Sequence, residues 1–221
     1  MPKWEVPACA KGLFVGSRYA ATELSSRHQA VPKTGTITGS ALLDKIRDIP
    51  NLSRFRSDKN SGETIYYHSG GRYHRKCLRE QLSNEYKPLE IRKGLGSPLI
   101  CLLSSSFYYW FWITMSDCYH VTKGDVDFLP VPDSLADDTR FEALSDSLIE
   151  DLWKNATIRM RNRADGSQHR EVNFNVGKSV DIITTIDRML ASHYDLTDEE
   201  LDFIINYDFK YRMGSDGAQE E

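Results

Sequence analysis

The sequence predicts a mixed α+β domain, and three observations predict it. Two long stretches, Asp137–Arg161 and Lys178–Tyr194, carry apolar residues at spacings of three and four, the period of an amphipathic helix. A short run rich in β-branched and aromatic residues, Thr64–Ser69, abuts Gly70-Gly71 and reads as a strand entering a turn. Between these, Leu99–Met115 is apolar nearly all round, the mark of a buried helix. With 221 residues, 40% hydrophobic and 27% charged, the chain is long enough for one sizeable core.

In chain order, residues 1–31 show no clean period and read as irregular. A turn then leads into a helix from Ser40 to about Asp48, with Ser40 as N-cap, Leu42, Leu43 and Ile46 as its apolar stripe and Pro50 as its stop. A polar loop precedes the Thr64–Ser69 strand, and Arg72–Leu78 either returns as a second strand or leaves as a loop. Residues 83–98 read as irregular, punctuated by Pro88, Gly94, Gly96 and Pro98. The buried helix over Leu99–Met115 follows, then a loop and a short extended piece over Val121–Pro132. After the first amphipathic helix come a polar loop over Asn162–Arg170 and a short strand over Glu171–Val176. The second amphipathic helix precedes a last one that opens on a capping box, Thr197 with Glu200. That last helix buries Leu201, Ile204 and Ile205 and ends at Gly214, a candidate C′ residue. Residues 215–221 read as a disordered acidic tail.

Composition excludes several classes. The mean hydropathy is −0.50, and the aromatic run Ser104–Met115 holds about a dozen residues where a spanning helix needs about 20. No membrane role and no signal peptide are expected, and a cytoplasmic setting follows. Cys9, Cys77, Cys101 and Cys118 are widely spaced, so reduced thiols are expected rather than a disulfide framework. His74 and Cys77 have ligand spacing, but no second pair completes a metal site. Charge is segregated. Arg54–Lys93 holds ten Lys/Arg against five Asp/Glu, and Asp125–Asp151 holds nine acids against one Arg. From Asp195 on there are nine acids and two bases. Such a pattern suits a protein presenting one basic face to a polyanion, and equally suits ordinary fluctuation of surface charge.

No Gly-rich phosphate loop follows a strand, since Gly94-Leu95-Gly96-Ser97 lacks the third glycine and the strand–helix context. There is no nucleophile elbow and no zincin motif. Glu85 and Lys87, with Asp58 upstream, have the spacing of a Mg²⁺-dependent nuclease, which leaves a weak enzymatic alternative. The stronger signal is a binding surface. Tyr66, Tyr67 and Tyr73 interleave with His68, Arg72, His74, Arg75 and Lys76 around the Gly-Gly turn. Arg and Lys meet phosphates, and Arg and His also donate to base edges. A hairpin with one face in the core and its basic residues in water has the same pattern. Asp117, His120 and Lys123 form a second candidate loop, or else Asp117 and His120 cap the preceding helix and pair with each other.

Three segments carry a family resemblance: Ile65–Tyr73 (IYYHSGGRY), Phe107–Pro132 (FYYWFWITMSDCYHVTKGDVDFLPVP) and Leu196–Gly214 (LTDEELDFIINYDFKYRMG). They resemble the C-terminal target recognition domain of N6-adenine DNA methyltransferases of the type IIG restriction-modification kind, over about Pro32 to Gly214. The resemblance implies a DNA-binding recognition domain over residues 32–214, with a buried aromatic helix, a small sheet or hairpin and a C-terminal helical pair. It implies that His68, Arg72, Tyr73, His74, Arg75, Lys76, His120 and Lys123 lie near double-stranded DNA. The family's S-adenosylmethionine motif and its Asn/Asp-Pro-Pro-aromatic motif are both missing. The chain is therefore expected to hold no cofactor and to catalyse nothing alone. S-adenosylmethionine would belong to a separate catalytic methyltransferase chain. A module that docks on protein and binds no DNA is the alternative.

Overall fold

The computed structural model describes residues 31–58, 61–70, 74, 76–162, 166, 168–209 and 213. Expectations for residues 1–30 and for the acidic tail, and the candidate contacts Arg72, Tyr73 and Arg75, lie outside the described residues. Within them the chain forms seven α-helices and two small antiparallel sheets, a mixed α+β fold.

In the larger sheet β1 (Glu63–His68) lies between β2 (Cys77–Leu78) and β3 (Tyr86–Ile91). Ile65 stands opposite Leu89, and both are buried, so one face of the sheet turns into the core. β3 corrects the irregular reading of residues 83–98. Pro88 argues against a strand, but β3 is an edge strand, and one row of its backbone N–H groups points away from the sheet.

The first helix, α1 (Ile37–Ile46), begins three residues before the expected Ser40. Its N-cap is Thr36, whose hydroxyl accepts the Gly39 N–H at 3.0 Å, and Ser40 stands in the first turn.

Leu99–Met115 is two helices rather than one, α2 (Gly96–Leu103) and α3 (Ser106–Met115). The break falls at Ser104-Ser105 because short hydroxyl side chains offer the backbone an alternative to the helical ladder. Ser105 Oγ accepts the Tyr108 N–H at 3.0 Å as the N-cap of α3, and Asp187 Oδ1 accepts the Ser106 N–H at 2.9 Å. A carboxylate at this end also opposes the positive end of the helix dipole. The aromatic helix is buried as expected: no side chain from Phe107 to Trp112 is more than 3% exposed. Phe107 stacks on Tyr194 at 4.1 Å, and the Tyr194 hydroxyl donates to the Pro130 carbonyl at 2.6 Å.

Residues 121–132 are not a plain loop. They contain a short helix, α4 (Lys123–Asp127), closed by a capping box between Thr122 and Asp125.

The expected helix over Asp137–Arg161 stops early. α5 (Arg140–Lys154) buries Phe141, Ser145, Leu148 and Leu152, ends at Asn155, and the chain becomes β4 (Ala156–Asn162). β4 pairs with β5 (Gln168–Phe174) over seven residues each, so the strand expected at Glu171–Val176 begins three residues sooner. Arg and Met are good helix formers and mask the alternation of Thr157, Ile158, Arg159, Met160 and Arg161.

α6 (Val180–His193) and α7 (Asp198–Asn206) complete the C-terminal helical pair. Thr197 and Glu200 form the expected capping box, Ile204 is buried, and Leu201 and Ile205 are half-buried. α7 ends at Asn206, well short of Gly214, with Tyr207 extended at its C-cap. No helix among the described residues is long and apolar enough to cross a membrane.

Candidate nucleic-acid interface

The C-terminal end of β1 and the loop after α3 meet. The Val121 N–H donates to the Ser69 carbonyl at 2.9 Å, which brings the His120–Lys123 segment beside His68. Lys76 joins them, because the His68 N–H donates to the Lys76 carbonyl at 2.8 Å. His68, Lys76, His120 and Lys123, remote in sequence, are thus set on adjoining backbone.

Each is held differently. His68 packs edge-on against Tyr86 at 4.8 Å. His120 packs edge-on against Tyr119 at 4.5 Å, and Tyr119 is 74% exposed. Lys123 is the exposed first residue of α4, a position the helix dipole disfavours for a cation and Asp125 offsets. The loop is stiff. Ser116 Oγ accepts the Cys118 N–H at 3.1 Å, and Asp117 Oδ1 accepts the Tyr119 N–H at 2.9 Å. Asp117 thus braces the loop's own turn rather than pairing with His120. Lys33 donates to the Ser116 carbonyl and sits 3.0 Å from Cys118 Sγ, and Cys118 takes the left-handed φ of 62°. Across the strand end, Ser69 Oγ bonds the Glu85 carbonyl at 2.9 Å. A Cβ on Gly70 would lie 2.5 Å from the Glu85 carboxylate, so any larger residue there would push that side chain aside.

His74 is a correction. It is 2% exposed, and its Nε2 lies 2.6 Å from the Ser104 carbonyl, so the ring braces the joint between α2 and α3 from inside and is shut away from any base.

The basic segment is corrected as well. Arg54 pairs with Asp133, Arg56 lies 3.6 Å from Asp127, and Arg79 meets Asp146 at 2.8 Å. The acidic stretch 125–151 folds against the basic stretch 54–93 and neutralises part of it.

The nuclease set is not assembled. Glu85 faces Ser69 and Gly70, while Lys87 Nζ bonds the Asn84 carbonyl at 2.7 Å. Among the described residues no group of three His, Cys, Asp or Glu side chains is placed to hold a metal ion.

Gly94-Leu95-Gly96 does lie between a strand and a helix, contrary to the sequence reading, but it is not an open anion cradle. Glu63 Oε1 accepts the Gly96 N–H at 2.5 Å and occupies the N-terminus of α2, where an anionic group would sit.

The sequence reading missed β4, and with it the β4–β5 ribbon. Every residue of β4 after Ala156 is exposed. Arg161, Arg170, Glu171, Val172 and Asn173 form one wall of a cleft of about 530 Å³, with His68 and Leu82–Tyr86 opposite. The signal that would have revealed it is the period-two alternation of cations after Asn155. No protein-family model, no curated protein and no solved structure matches the chain.

Proposed function

We propose that the chain is a DNA-binding target recognition domain, or specificity subunit, of an N6-adenine DNA methyltransferase or restriction-modification system, and that it is not catalytic alone. The observation that carries this reading is the hydrogen bond from Val121 to Ser69, which sets His120 and Lys123 beside His68, itself bonded to Lys76. Two of the three segments that resemble the family thereby adjoin. Lys76 and Lys123 meet phosphates, and His68 and His120 supply base-edge or stacking contacts. A separate catalytic chain, working in the cytoplasm, would bring S-adenosylmethionine and flip the adenine. This chain's own glycine loop does not suit that cofactor, since Glu63 fills its helix terminus.

The test is fluorescence anisotropy with a duplex DNA at about 50 mM salt, where phosphate contacts weigh most. The Lys76→Ala/His120→Ala/Lys123→Ala variant is expected to bind at least about tenfold more weakly than the parent chain, with a shallower salt dependence. Equal binding by the two proteins would sink the assignment.

A further inference from the structure

We infer that the β4–β5 ribbon is a second DNA-contacting element, one that enters the major groove. The inference rests on the DNA-binding reading above and adds to it the surface that reads the groove.

Four observations carry it. The first is shape. Two paired strands of seven residues make a ribbon about 23 Å long with strands about 4.8 Å apart. A major groove about 12 Å wide and 8.5 Å deep admits a two-stranded ribbon. The second is charge. From Lys154 to Glu171 the sequence holds five Lys/Arg against two Asp/Glu, in a chain whose net charge is −4.

The third is placement. Residues that stand opposite each other share a face, so Thr157 with Asn173 and Arg159 with Glu171 lie on the same face as Arg161. Arg159 and Arg161 are two residues apart, about 7 Å along the strand, close to the rise of two base pairs. Arg161 is held by Glu171 at 2.6 Å with 66% of its side chain exposed, an oriented guanidinium with donors to spare. Arg161, Glu171 and Asn173 also line the cleft that faces His68. The face therefore continues the interface already described.

The fourth is cost. A two-stranded ribbon is marginal alone, and this one is anchored at its base, where Trp153 meets Phe174 at 5.3 Å and Asn175 bonds Asn155. Charge by itself would keep an exposed edge from pairing with other chains. That purpose does not account for two arginines in step on one face of the ribbon, with Arg161 in the cleft that His68 also lines.

The experiment uses the full chain and two duplexes of one sequence. In the second, every cytosine carries a glucosylated 5-hydroxymethyl group, which fills the major groove and leaves the backbone charge unchanged. The parent chain is expected to bind the glucosylated duplex at least about tenfold more weakly than the plain one. The Arg159→Ala/Arg161→Ala variant, checked for folding by its melting curve, is expected to lose that discrimination. Its salt slope should also fall by up to about two. Arg159→Lys/Arg161→Lys keeps the charge and is expected to lose discrimination while retaining most of the salt slope. A parent chain that binds both duplexes equally, or a variant that discriminates as the parent does, overturns the ribbon's role and leaves the DNA-binding reading standing. A parent chain that binds neither duplex overturns both. Ile158 and Met160 lie on the opposite face, 49% and 58% exposed. Unchanged DNA binding in the arginine variants, together with loss of self-association in Ile158→Ser/Met160→Ser by sedimentation, would reassign the ribbon to protein contact.

Discussion

Arg79 crosses from the end of β2 to α5 and donates to Asp146 Oδ1 and to the buried Ser145 hydroxyl, both at 2.8 Å. The same guanidinium reaches Ser97 Oγ at 3.1 Å in the first turn of α2. One cation thus ties the sheet, α2 and α5. Arg79→Ala is expected to cost about 2 kcal/mol, since hydrogen bonds to charged groups are lost and a buried hydroxyl is deprived of a donor. Asp146→Ala should cost about 0.5 kcal/mol, because its side chain is 70% exposed. Urea unfolding of the two variants separates these values, and equal losses would show that the ion pair carries the tie.

His74 and His120 should behave oppositely. His74→Ala removes the brace on the Ser104 carbonyl and is expected to cost about 1–3 kcal/mol of stability, with little effect on the DNA affinity of the folded protein. His120→Ala should leave the melting temperature almost unchanged and weaken DNA binding. Measuring both quantities for both variants tests the division.

Thiol chemistry offers a probe of the same loop. Burial pushes the Cys101 thiol up to about 12 and the Cys77 thiol higher still. Cys118 is exposed. In the native chain a maleimide is expected to modify Cys118 and to spare Cys77 and Cys101 until denaturant is added. A bulky adduct at Cys118 stands two residues from His120 and should depress DNA binding. Mass mapping of the labelled peptides and anisotropy of the labelled chain check both halves.

Acid should loosen the C-terminal half first. The Arg140 guanidinium, with help from the Arg140 N–H and His193, holds the Asp138 carboxyl well below its ordinary range despite burial. Burial pushes the Glu200 carboxyl up, but Lys45 and Thr197 together outweigh it, and the net shift is downward. A carboxylate depressed in the folded state contributes stability above its unfolded value. That contribution is lost as pH falls through the folded value, here below about pH 4. Asp138→Asn is expected to melt lower than the parent at neutral pH and to show a flatter loss of melting temperature on acidification. Melting curves from neutral pH down to about pH 2 decide it.

The sequence and the structure agree where one physical signal dominates. The Thr197–Glu200 capping box, the Thr64–Ser69 strand and the apolar stripes of α5 and α6 were all legible. They fail to agree where two signals compete. Ser104 and Ser105 lie inside an apolar run whose burial hides the cap. Arg159–Arg161 favours helix by composition and strand by alternation, and the alternation prevails once Asn155 ends α5. Charge misleads for a different reason. The count over 54–93 is correct, but Arg54, Arg56 and Arg79 are paired across the fold with acids from 125–151, and no window of sequence contains such a pair. His68, Lys76, His120 and Lys123 were named from composition. Their meeting depends on the bonds from Val121 to Ser69 and from His68 to Lys76, which only the folded chain displays.

The two-serine joint between α2 and α3 also bears on how this chain can vary over time. Ser104 makes two ties, its carbonyl meeting His74 and its hydroxyl receiving the Cys77 N–H at 3.0 Å, and Ser106, two residues on, is tied to Asp187 on α6. An insertion or deletion of a single residue there would shift α3 against α2 and pull apart the bonds made by Ser104 and Ser106. Six large aromatic side chains would lose their sockets, and the far end of α3 would swing like the arm of a lever. Length changes are therefore barred at this joint, whereas substitutions that keep a short hydroxyl side chain are tolerated.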